Sequence, residues 1–367
     1  MLIAIHRRQG EASFTETCNK MMMGFRQIPG VNTIWLDRLI PGQESCNVCI
    51  GIGTASSQNQ FKLLDPNAQV RVGYCVWEST KVPAHFRKDL EDVDMVVVPS
   101  KYVKEIFVKE KMKDPTDIYV CPDGVDTEFY KHRVRPWDRK PFRILDVSVI
   151  QLRKGHDILL KAFSELSDEM PGQMQLIIKG RPLGPGKYGE GIVKKYRDHD
   201  DIRIIESRLN PTELLALYHA ADLFVHPHRS EGFGLTPLEA MRTGLPIITT
   251  GYSGVLEYCT TENAYFIGHK IVPVPKDSGF LGEYAEPDKN HLKSLIKYCF
   301  DNRHSALVRA ANASKAAGSM TLKWSAEGIL AAIKDYMVRH SIRPDVDIND
   351  KNNIFTKMPP ALRVLWT

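Results

Sequence analysis

Short apolar runs alternate with stretches of helical period along the first third of the chain. Runs such as 48–52 and 95–98 consist of apolar residues and glycine, which is typical of strands covered on both faces of a parallel sheet. The predicted strands are 2–6, 31–36, 48–52, 70–77, 95–98 and 118–121, and the predicted helices run near 14–27, after Pro83 and from Lys101. This alternation predicts one doubly wound half.

The same alternation begins again after a charged segment. Residues 131–141 contain two prolines and little apolar periodicity, so we interpret them as an interdomain linker. The second series comprises predicted strands at 142–149, 173–179, 202–206, 223–225 and 245–249, helices from His156, Pro211 and Pro237, and three helices near 288–300, 306–317 and 324–340. We therefore predict an α/β fold of two Rossmann-like, doubly wound domains that face a central cleft. The predicted domains are 1–135, 136–330, and a helix and tail at 331–367 that return to the first domain.

Composition agrees with two ordinary globular domains. The 367 residues are 43% hydrophobic and 25% charged, and no apolar segment is long enough to cross a bilayer. The seven cysteines lie mostly inside apolar runs, which predicts a reduced, cytoplasmic setting. Cys46 and Cys49 have redox or metal spacing, but no second pair accompanies them. The net charge of +5 is compatible with phosphate-bearing partners and does not require nucleic acid.

The most informative stretch is SEGFGLTPLEA at 230–240, which follows a short apolar strand and leads into a helix near Pro237. In open α/β sheets, ligands bind at the carboxyl ends of the strands, and a helix N-terminus presents backbone N–H groups to anions. We therefore predict an anion site here and favour phosphate. Glu239 has a second interpretation, because Thr236, Pro237 and Glu239 also fit a capping box.

The spacing of the two glutamates in this stretch bears on the chemistry. Glu231 and Glu239 are eight positions apart, which is about 12 Å in a helix that rises about 1.5 Å per residue. Retaining glycosidases hold their two carboxylates about 5–5.5 Å apart, so the spacing argues against a hydrolytic pair. It fits a long ligand that is held at both ends.

Several motifs in a fixed order make the chain similar to the retaining glycosyltransferases of family GT4, glycosyltransferase group 1. The motifs are CPDGVDT at 121–127, RKGHD at 153–157, LLALYHAAD at 214–222, SEGFGLTPLE at 230–239, GLPII at 244–248 and SGVLEY at 253–258, with weaker similarity from Trp77-Glu78-Ser79 to Pro99-Ser100. The resemblance covers about residues 74–330. It implies a GT-B fold and sugar transfer, with retention of configuration, from a UDP- or GDP-linked donor to an acceptor hydroxyl. It implies no metal ion and no further cofactor.

The resemblance also implies roles for individual residues. Arg153 and Lys154 would meet the donor diphosphate and stabilise the charge that grows on the leaving nucleotide. Glu231 would support the cation-like transition state of the sugar, and Glu239 would bind the ribose hydroxyls. The other residues expected to bind the donor are Gly232, Phe233, Gly234, Leu235 and Thr236 beside Glu231, and Arg208 and Leu209 beside the base.

The chain departs from the family pattern at two places. Arg153 directly precedes Lys154, whereas many family members have this arginine several residues earlier. The loop after the first strand contains a single glycine, Gly10, where the family has a glycine-rich loop. Gly10 and His85 are the candidates on the acceptor side.

The sequence leaves the acceptor open. A saccharide or a lipid-linked glycan is the usual acceptor in the family, and a lipid would bring peripheral membrane association. One alternative is a hydroxylated DNA base, as for phage enzymes, because the lysines in 101–113 offer phosphate contacts, although they also fit a solvated helix face. Another is a non-catalytic module that binds nucleotide sugars, which the presence of Arg153, Lys154, Glu231 and Glu239 disfavours. The sequence does not define an oligomeric state.

Overall fold

The structure is a computed structural model that describes residues 1–6, 12–38, 46–54, 59–136, 138–183 and 188–343. The chain divides into two compact units, and each unit is built on a six-stranded sheet. Unit one comprises Met1–Trp77, Val82–Gly124 and the chain from Thr321 onward, and unit two comprises Glu78–Lys81 and Val125–Met320. The predicted α/β class with two Rossmann-like halves is confirmed.

The sheet of unit one is parallel throughout. Its strands are β1 (Leu2–Ile5), β2 (Asn32–Trp35), β3 (Val48–Gly53), β4 (Val70–Cys75), β5 (Met95–Val98) and β6 (Ile118–Val120), in the order β2-β1-β3-β4-β5-β6. Its helices are α1 (Ala12–Phe25), α2 (Ala84–Asp89), α3 (Lys101–Lys109) and α10 (Leu322–Arg339). Every residue of β3 and β5 is buried, as their continuous apolar pattern predicts.

Unit two repeats this design and adds a hairpin. Its parallel strands are β7 (Phe142–Val147), β8 (Met174–Lys179), β9 (Ile202–Ile205), β10 (Leu223–His226), β11 (Ile247–Thr250) and β12 (Tyr265–Ile267), in the order β12-β11-β10-β7-β8-β9. Its helices are α4 (His156–Glu169), α5 (Tyr188–Tyr196), α6 (Pro211–Ala220), α7 (Leu235–Arg242), α8 (Lys289–Asp301) and α9 (Arg303–Ser319). β13 (His269–Pro273) and β14 (Glu283–Pro287) form the antiparallel hairpin.

The apolar pattern does not predict α5 or the strands β12 to β14. Every position of β13 is exposed or half-buried, so this strand lacks the alternation of apolar and polar residues that marks a half-buried strand. α5 follows a stretch rich in glycine and proline, which as a sequence signal indicates a loop. Both misses arise where tertiary packing, and not local periodicity, decides the conformation.

The first boundary between the units lies at 124/125, whereas the sequence places it at 135/136. Val125 and Tyr130, just before the predicted linker, are buried in the core of unit two, and Arg135 within the predicted linker is buried as well. The buried guanidinium of Arg135 also donates hydrogen bonds to backbone carbonyl oxygens of this unit. The charge and the prolines of this segment therefore do not indicate a solvated linker, because the guanidinium of Arg135 is hydrogen-bonded to buried carbonyl oxygens.

The second boundary lies at 320/321, whereas the sequence places it at 330/331. The whole of α10 belongs to unit one, in which it packs against α1. Ala326, Ile329 and Ile333 of α10 join the apolar core of that unit. The predicted tail beyond 343 lies outside the described residues.

The lysines of 101–113 do not form one continuous helical stripe. α3 ends at Lys109, and the half-buried Lys113 donates hydrogen bonds from its ammonium group to the carbonyl oxygens of Leu90 and Val93. Lys113 thus contributes to the packing of unit one. Across the described ranges, no helix has both the length and the apolar character needed to span a membrane.

Candidate active site

The candidate site begins with two strands that are neighbours at the centre of the second sheet. β7 pairs with β10, and Leu145 lies opposite Phe224. Because parallel strands end at the same edge of a sheet, the loops that follow β7 and β10 meet there. The first loop carries Arg153 and Lys154, and the second carries Glu231.

The two loops are fixed against each other by backbone contacts. Gly155 directly follows Arg153 and Lys154 and has φ +72°. A Cβ atom at this position would lie 2.0 Å from the carbonyl oxygen of Pro227. The N–H of Arg229 donates to the carbonyl oxygen of Arg153 at 2.7 Å. Glycine is therefore needed for both the left-handed conformation and the close approach of the second loop.

The carboxylate of Glu231 is the centre of the cluster. Arg153 Nη1 donates to Glu231 Oε2 at 3.0 Å, and the ammonium group of Lys154 donates to Oε1. The imidazole Nε2 of His226 lies 2.9 Å from the same Oε1. Arg153 Nη1 also donates to the carbonyl oxygen of Ser230 at 2.7 Å. The structure thus brings together the three residues predicted for catalysis.

The charged groups in this cluster shift one another's pKa values. Burial raises the pKa of Glu231, but the charges of Lys154 and Arg153 and the hydrogen bond to His226 outweigh it and hold the pKa well below its usual range. Burial and the charge of Arg153 lower the pKa of Lys154, although Glu231 opposes this change. Glu231 is therefore ionised at neutral pH, and its charge helps to keep two buried cations in place.

Arg153 has two further neighbours that sequence reasoning missed. Glu78 Oε1 lies 3.3 Å from Arg153 Nη2, and the ring centroid of Phe280 lies 5.6 Å from Arg153 Cζ. Glu78 belongs to the short segment Glu78–Lys81 that clusters with unit two. Neither residue carries a local signal for this role, because both reach Arg153 from distant parts of the chain.

Arg229 holds the hairpin to the site loops. Its guanidinium contacts Asp157 with two hydrogen bonds of 2.9 Å and Glu286 Oε1 with one of 2.8 Å. The backbone N–H of Ala285 donates to the carbonyl oxygen of Arg229. Arg229 lies directly before the motif at 230–239 and outside it. Arg229 connects β14, the start of α4 and the loop after β10.

Hydrogen bonds with residues 253–258 fix the loop that precedes α7. The N–H of Glu231 donates to Ser253 Oγ at 2.8 Å, and the N–H of Gly254 donates to the carbonyl oxygen of Glu231 at 2.9 Å. Gly234 has φ +91°, and Tyr258 donates to its carbonyl oxygen. These contacts position the backbone at 232–235 and the first turn of α7, where an α-helix has N–H groups without partners inside the helix.

The capping box predicted at Thr236 and Glu239 is wrong. α7 begins at Leu235 with Gly234 in the cap position, so Thr236 already lies inside the helix. The buried carboxylate of Glu239 instead accepts a hydrogen bond from the hydroxyl of Tyr218 at 2.9 Å. The left-handed glycine moves the helix start and removes the cap geometry, so the cap interpretation of Glu239 no longer competes with a binding role.

The remaining predicted residues lie elsewhere in the fold. Arg208 is exposed and Leu209 is half-buried in the loop after β9, which is the edge strand of the second sheet. His85 is exposed on α2 in unit one, and Gly10 lies outside the described residues. Among the residues with described positions, no three His, Cys, Asp or Glu side chains are grouped so as to hold a metal ion.

The sequence comparisons match parts of the chain to glycosyltransferases. Residues 129–277 match the family model of glycosyl transferases group 1. The D-inositol 3-phosphate glycosyltransferase of Segniliparus rotundus is 28% identical over 235 residues, which are 60% of this chain and 47% of that protein. The protein of the same name from Mycobacterium tuberculosis is 26% identical over 283 residues, 71% of this chain and 53% of that protein. The chain spans about half the length of these curated relatives.

Solved structures show the same fold at lower sequence identity. Anabaena HepE in complex with UDP and glucose aligns with a TM-score of 0.64 and 15% identity over 91% of this chain and 99% of that one. Sucrose-phosphate synthase from Thermosynechococcus elongatus aligns with a TM-score of 0.63 and 16% identity over 93% and 100% of the two chains. The protein therefore has the GT-B fold. The match of residues 129–277 to glycosyl transferases group 1 agrees with the resemblance of the motifs to family GT4.

Proposed function

We propose that this protein transfers a glycosyl group from a nucleotide-diphosphate sugar to an acceptor hydroxyl. The observation that carries the proposal is the buried cluster of Arg153, Lys154 and Glu231 beside the N-terminus of α7. Two cations and a helix N-terminus at the carboxyl edge of a parallel sheet suit a diphosphate. The group 1 match and the UDP complex of HepE support the same class of donor.

In this proposal the diphosphate meets Arg153 and Lys154. Both side chains are largely buried, with 8% and 13% of the side chain exposed, so their charges are screened less than those of surface residues. Charge that develops on the departing nucleotide is stabilised by cations that are already in position. These groups supply the positive potential, so the proposed reaction requires no divalent ion.

Glu231 and Glu239 contact different parts of the donor in this proposal. Glu239 is buried at the base of α7 and oriented by Tyr218, which suits hydrogen bonds to ribose hydroxyls. The Glu231 carboxylate accepts hydrogen bonds from Arg153 and Lys154 and lies against His226, so its oxygens are engaged and it is a poor nucleophile. We therefore assign Glu231 to electrostatic support of the sugar cation. Retention then follows from attack on the face that the nucleotide leaves, with the departing phosphate as the base.

The proposed acceptor is a hydroxyl of a saccharide or of a lipid-linked glycan. The curated relatives are named for transfer to an inositol phosphate, which is a small polyol phosphate. Lys113, one of the lysines offered for contacts with DNA phosphate, is engaged by backbone carbonyl groups. These two observations favour a polyol or sugar over a base in DNA.

A donor screen tests the proposal. Thermal denaturation of the purified chain is measured with UDP-glucose, UDP-N-acetylglucosamine, GDP-mannose or ADP-glucose. In a separate assay, release of the free nucleotide is followed with monosaccharide and polyol phosphate acceptors. One donor at about 100 times its dissociation constant should stabilise the fold by about 2.7 kcal/mol. That donor should also lose its nucleotide only when an acceptor is present. Failure of all four donors to raise the melting temperature would overturn the proposal.

A further inference from the structure

A chain of buried polar groups lies beneath Glu231. His226 Nε2 is 2.9 Å from Glu231 Oε1, and His226 Nδ1 is 3.0 Å from Asp146 Oδ2. The other oxygen of Asp146 is 3.1 Å from His156 Nε2 and accepts a hydrogen bond of 2.6 Å from Ser148 Oγ. Asp146, His226 and His156 are all fully buried. A family motif covers His156, but none covers Asp146 or His226.

Both ring nitrogens of His226 face a carboxylate oxygen. A neutral imidazole has one N–H donor and one acceptor, whereas an ionised carboxylate only accepts. A neutral His226 would therefore direct one lone pair at a carboxylate. The imidazolium ion donates to both sides and satisfies the geometry, provided that both carboxylates are ionised.

The neighbours of the two carboxylates keep them ionised. Burial raises the pKa of Asp146, but the hydrogen bonds from His156 and His226 outweigh it and lower the pKa. The charges of Lys154 and Arg153 act in the same way on Glu231. Burial lowers the pKa of His226, but its contacts with Asp146 and Glu231 raise it overall.

His228 provides a contrast two residues further on. Its ring centroid is 5.2 Å from that of His226, and it is equally buried. In the described part of the chain, neither of its ring nitrogens has a hydrogen-bond partner. Burial and the charge of His226 lower the pKa of His228 well below its usual range. Of two adjacent buried histidines, only the one between two carboxylates is placed to carry a charge.

We propose that His226 is a positioning residue, held as an imidazolium ion between Asp146 and Glu231, which fixes the Glu231 carboxylate in its ionised form and in one orientation. The part that concerns the sugar rests on the proposed function. The charge state of His226 does not rest on it, because the geometry within unit two alone defines it.

Nitrogen NMR of the full chain tests the charge state without any substrate. At about pH 8, above the ordinary histidine pKa of about 6.5, one buried imidazole should still show two protonated ring nitrogens. This signal should disappear in His226→Gln and persist in the control His304→Gln, which changes an exposed histidine of α9. If His226→Gln does not fold, Asp146→Asn assigns the signal, because it removes one carboxylate and should make the ring titrate at lower pH. Only neutral histidine signals at this pH would overturn the proposal.

Kinetics test the positioning role. In His226→Gln we expect kcat to fall about 10- to 100-fold, the range known for residues that orient the ligands of a metal site. The KM for the donor should change by less than about threefold, because the donor contacts remain. In Asp146→Asn the activity should acquire an alkaline limb as His226 loses its proton. An unchanged kcat and an unchanged pH dependence of activity in both variants would contradict the positioning role of His226. If the unsubstituted protein transfers no sugar, the proposed function fails, and the NMR result still decides the charge state.

Discussion

Arg153 Nη1 and Glu231 Oε2 lie 3.0 Å apart although 78 positions separate the two residues along the chain. The contact exists because β7 and β10 are neighbours in the sheet and their loops end at the same edge. Lys154 contacts the other oxygen of the same carboxylate. This arrangement joins two of the motifs that resemble family GT4 into one buried cluster and leads to the first two predictions.

Glu231→Gln should lower kcat by at least about 100-fold, because a neutral amide cannot match the charge that a carboxylate presents to a sugar cation. Donor binding should change much less, since the contacts proposed for Arg153, Lys154 and Glu239 remain. The matched control is Glu262→Gln, which alters an exposed glutamate of unit two. Steady-state transfer rates measure the difference, and kcat within a few-fold of the unsubstituted protein would contradict the assignment of Glu231.

Arg153 and Glu231 should show strong energetic coupling in a double-mutant cycle. Arg153→Met alone should lower the free energy of unfolding by about 3–5 kcal/mol, because it leaves buried carboxylates short of a partner. Combining Arg153→Met with Glu231→Gln should cost less than the sum of the two, with a coupling of up to about 3 kcal/mol. Urea denaturation of the four proteins gives this value.

The exposed pair Arg197 and Glu206 supplies the control for that cycle. Their charged atoms are 3.8 Å apart, with 68% and 43% of the side chains exposed, and such pairs couple by about 0–1 kcal/mol. Equal coupling in the two cycles would mean that burial adds nothing to the contact of Arg153 with Glu231.

Gly155→Ala should be far more destabilising than Gly172→Ala. Both glycines have a left-handed φ, +72° and +69°, so both variants suffer the same conformational strain, on the order of 1 kcal/mol. Only at Gly155 would the new Cβ meet an atom, the Pro227 carbonyl oxygen at 2.0 Å, whereas nothing lies within 4 Å at Gly172. Thermal denaturation and donor-induced shifts should both show the difference, and similar losses in the two variants would refute the close approach of the two loops.

His228→Leu should reduce the acid sensitivity of the fold. The folded-state pKa of His228 is lowered well below 6.5 by burial and by the charge of His226, while Glu231 opposes and Lys154 and Arg153 add to the lowering. The unfolded chain therefore binds a proton below about pH 6.5 that the folded chain does not, and stability falls as the pH falls. This group alone should contribute up to about 1.4 kcal/mol per pH unit.

The measurement is the free energy of unfolding between about pH 6.5 and pH 5, a range that lies above the ordinary carboxylate pKa values. The difference between His228→Leu and the unsubstituted protein should widen steadily as the pH falls. His304→Leu, at an exposed site of α9, should run parallel to the unsubstituted protein. A constant gap between the His228→Leu curve and the parent curve would indicate that His228 is protonated in the folded state.

Much of the fold could be predicted from local patterns. Buried parallel strands such as β3 and β5 are continuous apolar runs, and the strand and helix order of both units follows from that signal. The hairpin β13 to β14 could not be predicted in this way, because β13 is exposed or half-buried at every position. The prediction of a linker at 131–141 is wrong, because a charged residue such as Arg135 is expected in solvent, whereas it is buried against carbonyl oxygens.

The candidate site was predictable in part for a similar reason. Glu231, Arg153 and Lys154 lie in recognisable motifs that follow strands. Their position at one edge of the sheet therefore follows from the strand pattern. Their partners His226 and Asp146 lie outside these motifs, and Glu78 lies in a segment of weaker similarity. The capping box at Thr236 fits a common local pattern, and the left-handed Gly234 overrides it.

The sequence by itself determined two doubly wound halves, the resemblance to family GT4, and the loops that carry the charged residues, because these depend on periodicity and order along the chain. Only the tertiary structure decided which charges pair. Glu231 lies between Arg153, Lys154 and His226 because β7 and β10 are adjacent. Hydrogen bonds act over about 3 Å, so no spacing along the chain could specify contacts between residues 78 positions apart.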